Sequence, residues 1–274
     1  MKNYIEIIPL CFILFYALVA VKFELQMLQQ NSYRNKRYIR WLTGNPVSPN
    51  RIFVLAMAVL AVCFPANMLW TSLAALLLAI LGWRILRTKY KKPLVFTARA
   101  TRLYVLSVVL VIGLTAGSVF IFRDMAVGIV VAVLFSFFSF AVVIASNLLL
   151  VPVEKVINRR YYNDAKRILA GMPGLTVIGI TGSYGKTSTK HYLYRILSEK
   201  YNVLMTPGSY NTTLGVIRTI REQMKPYHNV FIVEMGAKQQ GDIKEICDLV
   251  HPSVGILTAV GEQHLESFKT IRNV

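Results

Sequence analysis

The sequence predicts an α-helical membrane region followed by an α/β domain built on a parallel sheet. Long apolar stretches fill most of residues 1–151, and 55% of the 274 residues are hydrophobic, which is high for an ordinary soluble domain. From residue 175 onward, short apolar strand patterns alternate with amphipathic helix patterns. Such alternation with apolar strands favours a parallel sheet that is covered on both faces.

Apolar stretches of membrane-spanning length define the first region. A helix needs about 20 apolar residues to cross a bilayer, and a long run broken at Pro65 is better explained as a hairpin than as one helix. Buried helices of a soluble core are the alternative, but the length of the stretches and their few internal charges argue against it. We therefore predict five spans, at Ile5–Val21, on either side of Phe64–Asn67 within Ile52–Leu86, at Leu103–Phe122 and at Met125–Val151.

The distribution of basic residues predicts the orientation of these spans. Residues 1–150 hold 15 Lys and Arg against 3 Asp and Glu, and most of these cations lie in the first and third connections between spans. Because positive charge resists translocation, these connections should be cytoplasmic, near Arg37 and Lys91, whereas Arg123 should lie outside. The chain is then a multi-pass protein of the cell membrane, with its N-terminus outside and everything after Val151 in the cytoplasm. The position of the positive charges favours membrane topology over nucleic-acid binding.

The cytoplasmic part begins with a predicted linker helix over residues 152–174, where apolar residues recur at helical spacing. Residues 175–274 then form the α/β domain. Strands are predicted at Leu175–Thr181, Tyr201–Thr206, Asn229–Met235 and Ser253–Val260. Helices are expected between them, from Lys186 to about Lys200, from Thr213 to about Met224 and from Asp242 onward.

A glycine-rich loop joins the first strand to the first helix of this domain. It reads Gly182-Ser183-Tyr184-Gly185-Lys186-Thr187-Ser188, and the strict phosphate-loop pattern is incomplete because Ile180 replaces its first glycine. Glycines let backbone N–H groups face an anion, the lysine neutralises phosphate oxygens, and the following hydroxyl can hold Mg²⁺. The strand–loop–helix setting therefore predicts phosphate binding.

Two further residues are expected at the same edge of the sheet, because ligands of open α/β sheets bind at the carboxyl ends of the strands. Glu234 ends the third strand, and His264 follows the fourth. A carboxylate near a phosphate loop is suited to hold Mg²⁺. From its position alone, His264 could equally be a loop histidine without such a role.

Residues from about Leu175 to the end resemble the ATP-binding domain of the Mur ligases, and most closely the branch that adds D-alanyl-D-alanine to a muramyl tripeptide. The resemblance rests on "ITGSYGKTSTK", "NTTLGV", "VEMGAKQQGDI" and "ILTAVGEQHLESF", in this order. It implies that ATP binds residues 182–188, with Lys186 on its phosphates. It also implies that Thr187 and Glu234 hold one Mg²⁺, that His264 helps to hold a second, and that Asn211 and Thr212 belong to the substrate loop. The reaction implied is ATP-dependent amide formation on a peptidoglycan precursor, through an acyl phosphate that an amine such as D-alanyl-D-alanine attacks.

Alternative functions stay open at this point. One is a membrane-linked amide ligase of another pathway, such as polyglutamate synthesis, and another is a non-catalytic membrane scaffold with a nucleotide-binding module. The last residues, "SFKTIRNV", show a helix pattern without a stop signal, and the resembling family has a further C-terminal domain. We therefore expect the N-terminal part of a longer or split protein, completed by that domain or by a partner chain. Alone it should bind ATP weakly and form no amide bond.

Overall fold

The computed structural model describes residues 2–44, 54–56, 68–237 and 239–261. The chain divides into two compact units, Met1–Glu154 and Lys155–Val274. The first unit is helical in its described parts, and the second contains a sheet with helices. Each unit is described separately below.

The helical unit is built around its first helix. The helices are α1 (Lys2–Gln30), α2 (Asn35–Gly44), α3 (Met68–Arg87), α4 (Ala98–Phe122), α5 (Met125–Phe137) and the first part of α6 (Ser139–Ala170). Helix α1 packs against α3, α4 and α5. Its buried side chains, such as Ile13, Ala17 and Leu25, lie in two apolar clusters with residues of the neighbouring helices. Many apolar side chains on α3 and α4 face outward, as expected for helices in contact with lipid.

Four helical segments in the described part of the chain are long and apolar enough to cross a membrane: Glu6–Gln30, Leu69–Arg87, Ala98–Phe122 and Ser139–Ala170. They coincide with the first, third and fourth predicted stretches and with part of the fifth. The second predicted stretch lies largely outside the described residues, of which only 54–56 fall within it. The number of crossings and their orientation therefore stay predictions.

The fifth predicted stretch and the predicted linker helix both differ from the structure. The fifth stretch is not a single helix, because it is interrupted at Phe138 between α5 and α6. The linker helix expected over residues 152–174 is also not separate, because α6 continues through Pro152 to Ala170. A proline inside a helix removes one backbone hydrogen bond and bends the helix, but it does not oblige the helix to end.

The second unit contains a four-stranded parallel sheet in the order β2-β3-β1-β4. The strands are β1 (Thr176–Thr181), β2 (Val203–Met205), β3 (Val230–Glu234) and β4 (Val254–Leu257), and the helices between them are α7 (Lys186–Leu197), α8 (Thr213–Gln223) and α9 (Asp242–Val250). The prediction of a parallel sheet with intervening helices is confirmed. Strands β1 and β3 are adjacent, with Ile180 in register with Glu234, so their carboxyl ends meet at one edge.

Helices cover the central strands on both faces. Side chains of α7, among them Leu193 and Leu197, pack on Ile178 and Ile232 on one face. Side chains of α8, α9 and the end of α6 pack on Val177, Phe231 and Val233 on the other. Strand β4 differs from the prediction of full coverage, because Val254 and Leu257 are 46% and 65% exposed at the edge of the sheet.

Candidate active site

The loop between β1 and α7 has a backbone that only glycine adopts readily. Gly182 has φ +139° and Gly185 has φ +82°. A Cβ atom on Gly182 would lie 2.1 Å from Thr258 Oγ1 and 3.0 Å from the Ala259 carbonyl oxygen. Both conformation and space therefore require glycine at residue 182, and this lets the loop turn tightly out of β1.

The segment after β4 supports the loop through hydrogen bonds. The Ser183 N–H donates to the Ala259 carbonyl at 2.6 Å, and Ser183 Oγ donates to the Gly261 carbonyl at 2.9 Å and accepts from the Gly261 N–H at 3.0 Å. Thr258 Oγ1 donates to the Tyr184 carbonyl at 2.7 Å. These bonds join the ends of β1 and β4 and fix the path of the loop.

The N-terminus of α7 faces the loop and carries no side-chain cap. Gly185 occupies the N-cap position and makes no capping hydrogen bond. The first N–H groups of a helix have no partner within the helix, and together with the helix dipole they favour an anion. Lys186, the first residue of α7, donates from Nζ to the Gly182 and Ser183 carbonyls, which places its charge over the loop. The arrangement fits a phosphate group.

Glu234 is buried at the end of β3 and forms hydrogen bonds with three other elements. Its Oε2 accepts from Thr187 Oγ1 at 3.1 Å and from Lys190 Nζ at 2.9 Å, and its Oε1 accepts from Asn211 Nδ2 at 3.4 Å. Its backbone N–H donates to Thr206 Oγ1 at 3.1 Å. The carboxylate is thus held by α7 and by the residue before the α8 cap, and the backbone of Glu234 is held by the residue after β2.

Lys190 is the partner of Glu234 that the sequence reasoning missed. Its side chain is 0% exposed, that of Glu234 is 2% exposed, and Lys190 Nζ also donates to the Gly208 carbonyl. A buried charge needs a charged or hydrogen-bonded partner, and here Lys190 and Glu234 are such partners for each other. The signal was in the sequence, since Lys190 follows Lys186 and Thr187 by four and three residues and therefore shares their helix face.

The carboxylate of Glu234 and the hydroxyl of Thr187 fit a Mg²⁺ ion. Mg²⁺ prefers oxygen ligands and is often bound by one or two protein oxygens together with phosphates and water. The two oxygens are 3.1 Å apart, beside the N-terminus of α7 where a phosphate would lie. Among the described residues there is no group of three or more His, Cys, Asp or Glu that could hold a metal by itself. A phosphate-bound ion is therefore the kind of metal that the geometry favours.

Part of the second unit is similar to known proteins. Residues 180–274 match the model of the Mur ligase middle domain. We therefore call residues 180–274 the Mur ligase segment, after the family model that they match.

Several relatives of this Mur ligase segment are named UDP-N-acetylmuramoyl-tripeptide–D-alanyl-D-alanine ligases. The enzyme of Synechocystis is 40% identical over 91 residues, which are 33% of this chain and 20% of the relative. The enzyme of Escherichia coli is 35% identical over 98 residues, 36% of this chain and 22% of the relative. A solved structure, the MurF ligase of Thermotoga maritima in complex with ADP, is 37% identical, with a TM-score of 0.40 over 42% of this chain and 26% of that one. The chain spans about a fifth of the length of the curated relatives it matches.

Most of the expected site residues lie together in the Mur ligase segment. Thr187 and Glu234 are hydrogen-bonded, and Lys186, which precedes Thr187 on α7, donates to the loop carbonyl of Gly182. Tyr184 is 54% exposed, and Ser188 lies exposed in the first turn of α7. Ser183 is buried, and its side chain and N–H are engaged by the supporting segment, so its contact with phosphate stays a prediction. His264 lies outside the described residues.

The two expected substrate-loop residues have structural contacts. Thr212 caps α8, with its Oγ1 accepting from the Gly215 N–H at 3.3 Å. The Asn211 carbonyl accepts from the Gly236 N–H at 2.7 Å, and its side-chain amide reaches Glu234. Asn211 therefore connects the start of α8 to the end of β3, and the role of both residues in substrate binding stays a prediction.

Proposed function

We propose that the Mur ligase segment binds ATP and that the protein containing it forms an amide bond on a peptidoglycan precursor. The observation that carries this proposal is the buried Glu234 carboxylate hydrogen-bonded to Thr187, directly behind the Lys186 loop. This set combines a phosphate cradle, a cation and hard oxygen ligands, which are the parts that phosphoryl transfer requires.

The residues have distinct roles in this proposal. The N–H groups at the start of α7 and the ammonium of Lys186 bind the ATP phosphates and stabilise the charge that develops on the transferring group. Thr187 and Glu234 provide ligands for Mg²⁺, which neutralises phosphate oxygens when it is bound. His264 contributes to a second ion. Asn211 and Thr212, at the start of α8, orient the precursor.

The chemistry follows two steps. A carboxylate oxygen of the precursor attacks the γ-phosphorus of ATP, so that an acyl phosphate forms and ADP leaves. The amine of D-alanyl-D-alanine, or of a related amino acid, then attacks the acyl carbon, and inorganic phosphate leaves as the amide bond forms and the amine proton passes to water. The chain would perform this reaction at the cytoplasmic face of the cell membrane, through which its apolar helices pass.

Trapping of the acyl phosphate tests the reaction. Membranes that contain the protein with its natural partners are given ATP, Mg²⁺ and a muramyl tripeptide, and hydroxylamine replaces the amine. We expect an acyl hydroxamate whose formation requires ATP and is lost in Lys186→Ala membranes. Lys225→Ala, which changes an exposed lysine outside the site, is the matched control and should keep the product. Absence of hydroxamate in wild-type membranes, with ATP binding intact, would favour a non-catalytic scaffold instead.

A further inference from the structure

Basic residues gather at one end of the helical unit. Helix α1 ends at Gln30, α3 ends at Arg87 and α4 begins at Ala98. The segment between α3 and α4 is bound to the end of α1, because Gln26 and Gln30 both donate to the Lys92 carbonyl at 2.9 Å. Gln29 donates to the Val95 carbonyl at 2.7 Å and accepts from the Val95 N–H at 3.0 Å. This segment therefore has a fixed place beside α1.

Helix α2 is fixed at the same end. The hydroxyl of Tyr38 on α2 donates to Glu24 Oε2 of α1 at 2.5 Å, and both side chains are buried. The side-chain amide of Asn147 on α6 donates to the Tyr33 carbonyl at 3.1 Å and to Asn35 Oδ1 at 2.6 Å. The two basic connections of the sequence are thus both anchored to the same set of helix ends.

Several basic side chains on these two segments are exposed. We name six exposed residues the basic rim: Arg34, Lys36, Arg37, Lys89, Lys91 and Lys92. Within the described ranges, none of the six forms an ion pair, whereas Arg102 of the same unit pairs with Glu154 at 2.6 Å. In the second unit, the exposed Lys244 pairs with Asp248 at 2.8 Å. As far as the structure describes the chain, the rim therefore presents six positive charges without an ion-pair partner on one end of the unit.

Exposed aromatic residues lie at this end as well. Trp83, in the last turns of α3, is 55% exposed, and the Arg87 guanidinium lies 4.8 Å from its ring centre. Phe96, just before α4, is 50% exposed. Aromatic side chains next to cations at the ends of apolar helices are typical of the headgroup level of a bilayer.

We propose that the basic rim binds the anionic headgroups of phospholipids in the leaflet that it faces. The proposal rests on the membrane location proposed above and is independent of the ATP site. The rim lies at the ends of α1, α3 and α4, whose apolar surfaces are expected to contact the acyl chains of lipids. Phosphate-bearing headgroups are then the anions within reach of the side chains of the rim. Clustered Lys and Arg at a helix end attract such headgroups, each by about fivefold in affinity at moderate salt.

Lipid binding to the purified full chain tests this proposal. The protein in neutral detergent is titrated with tail-labelled phosphatidylglycerol and, separately, phosphatidylcholine, and binding is followed by fluorescence anisotropy. We expect a preference for phosphatidylglycerol of roughly tenfold or more that weakens as salt rises. The variants Lys89→Gln/Lys91→Gln/Lys92→Gln and Arg34→Gln/Lys36→Gln/Arg37→Gln should each lower this preference at least about fivefold.

A control removes the same charge elsewhere. Arg195→Gln/Lys200→Gln/Lys225→Gln changes three exposed cations of the second unit and should keep the lipid preference. Binding of phosphatidylcholine reports whether each variant is folded, since it should not change. Equal affinity for the two lipids, or an equal loss in the control variant, would overturn the proposal. So would competition by soluble glycerol phosphate or by single-stranded nucleic acid at the concentration at which phosphatidylglycerol binds.

Discussion

Replacement of Lys190 by methionine should destabilise the second unit strongly, because it removes the cation from a buried ion pair. Methionine keeps an unbranched chain of similar length but has no charge. Glu234, 2% exposed, would retain its hydrogen bonds from Thr187 and Asn211 and lose its charged partner. Breaking a buried pair on one side typically costs about 3–5 kcal/mol, which is a large part of the stability of a domain.

The thiol of Cys247 on α9 provides a local probe of unfolding. Burial raises the pKa of this thiol, and the charge of Asp248 raises it further, so less thiolate is present in the folded unit than in the unfolded chain. In a Cys11→Ala/Cys63→Ala background, brief maleimide labelling across a urea series therefore reports the unfolding of this unit in the full chain. With a urea dependence of roughly 1–3 kcal/mol per molar, Lys190→Met should lower the midpoint by roughly 1–5 M.

A second variant separates charge from packing. In Lys190→Met/Glu234→Gln the unpaired carboxylate is gone, so we expect at least about 1.5 kcal/mol of the loss to be recovered. Lys244→Met breaks an exposed ion pair with Asp248 and should leave the midpoint unchanged. If Lys190→Met unfolds at the parental urea concentration, or if the double variant is as unstable as the single one, the buried pair does not have the energetic role inferred for it.

Three further predictions concern the metal, the loop and the membrane. Glu234→Gln replaces a carboxylate by a neutral amide, so the Mg²⁺ concentration needed for half-maximal ATP binding should rise at least about tenfold; an unchanged requirement would make Glu234 structural only. Gly182→Ala should cost about 1–3 kcal/mol in the urea assay because of its φ of +139°, whereas Gly174→Ala, with open space around it, should not; equal midpoints for the two would contradict the loop geometry. Cysteines placed beside Arg37 and Lys91 should resist an impermeant thiol reagent in whole cells, whereas one beside Arg123 should react, and the reverse pattern would invert the topology.

The sequence was sufficient to predict the strands, the helices between them and the loop of the second unit. Periodicity and glycine placement are local properties, and in a parallel sheet they also determine which strand ends meet, so Thr187 and Glu234 could be expected at one edge. The exposure of β4 was not predictable in the same way, because an apolar strand has the same sequence pattern in the centre of a sheet and at its edge.

Contacts between distant residues account for what the sequence did not reveal. Lys190 and Glu234 are 44 positions apart, and their pairing depends on how α7 lies over β3. Ser183 resembles a phosphate contact in the loop pattern, yet its side chain is directed to Gly261 by the segment after β4. In the helical unit, Pro152 suggested a boundary, but the helix-forming residues on both sides continue α6 through it.

Equilibrium binding of ATP tests the central claim that the loop and the N-terminus of α7 form a nucleotide site. The purified full chain is titrated with a fluorescent ATP analogue and Mg²⁺, alongside the Lys186→Ala variant and the Lys225→Ala control. We predict saturable binding that excess ATP displaces, an affinity at least about tenfold lower for Lys186→Ala through loss of a charge-assisted contact, and no change for Lys225→Ala. Equal affinity of Lys186→Ala and the parent chain would contradict the account.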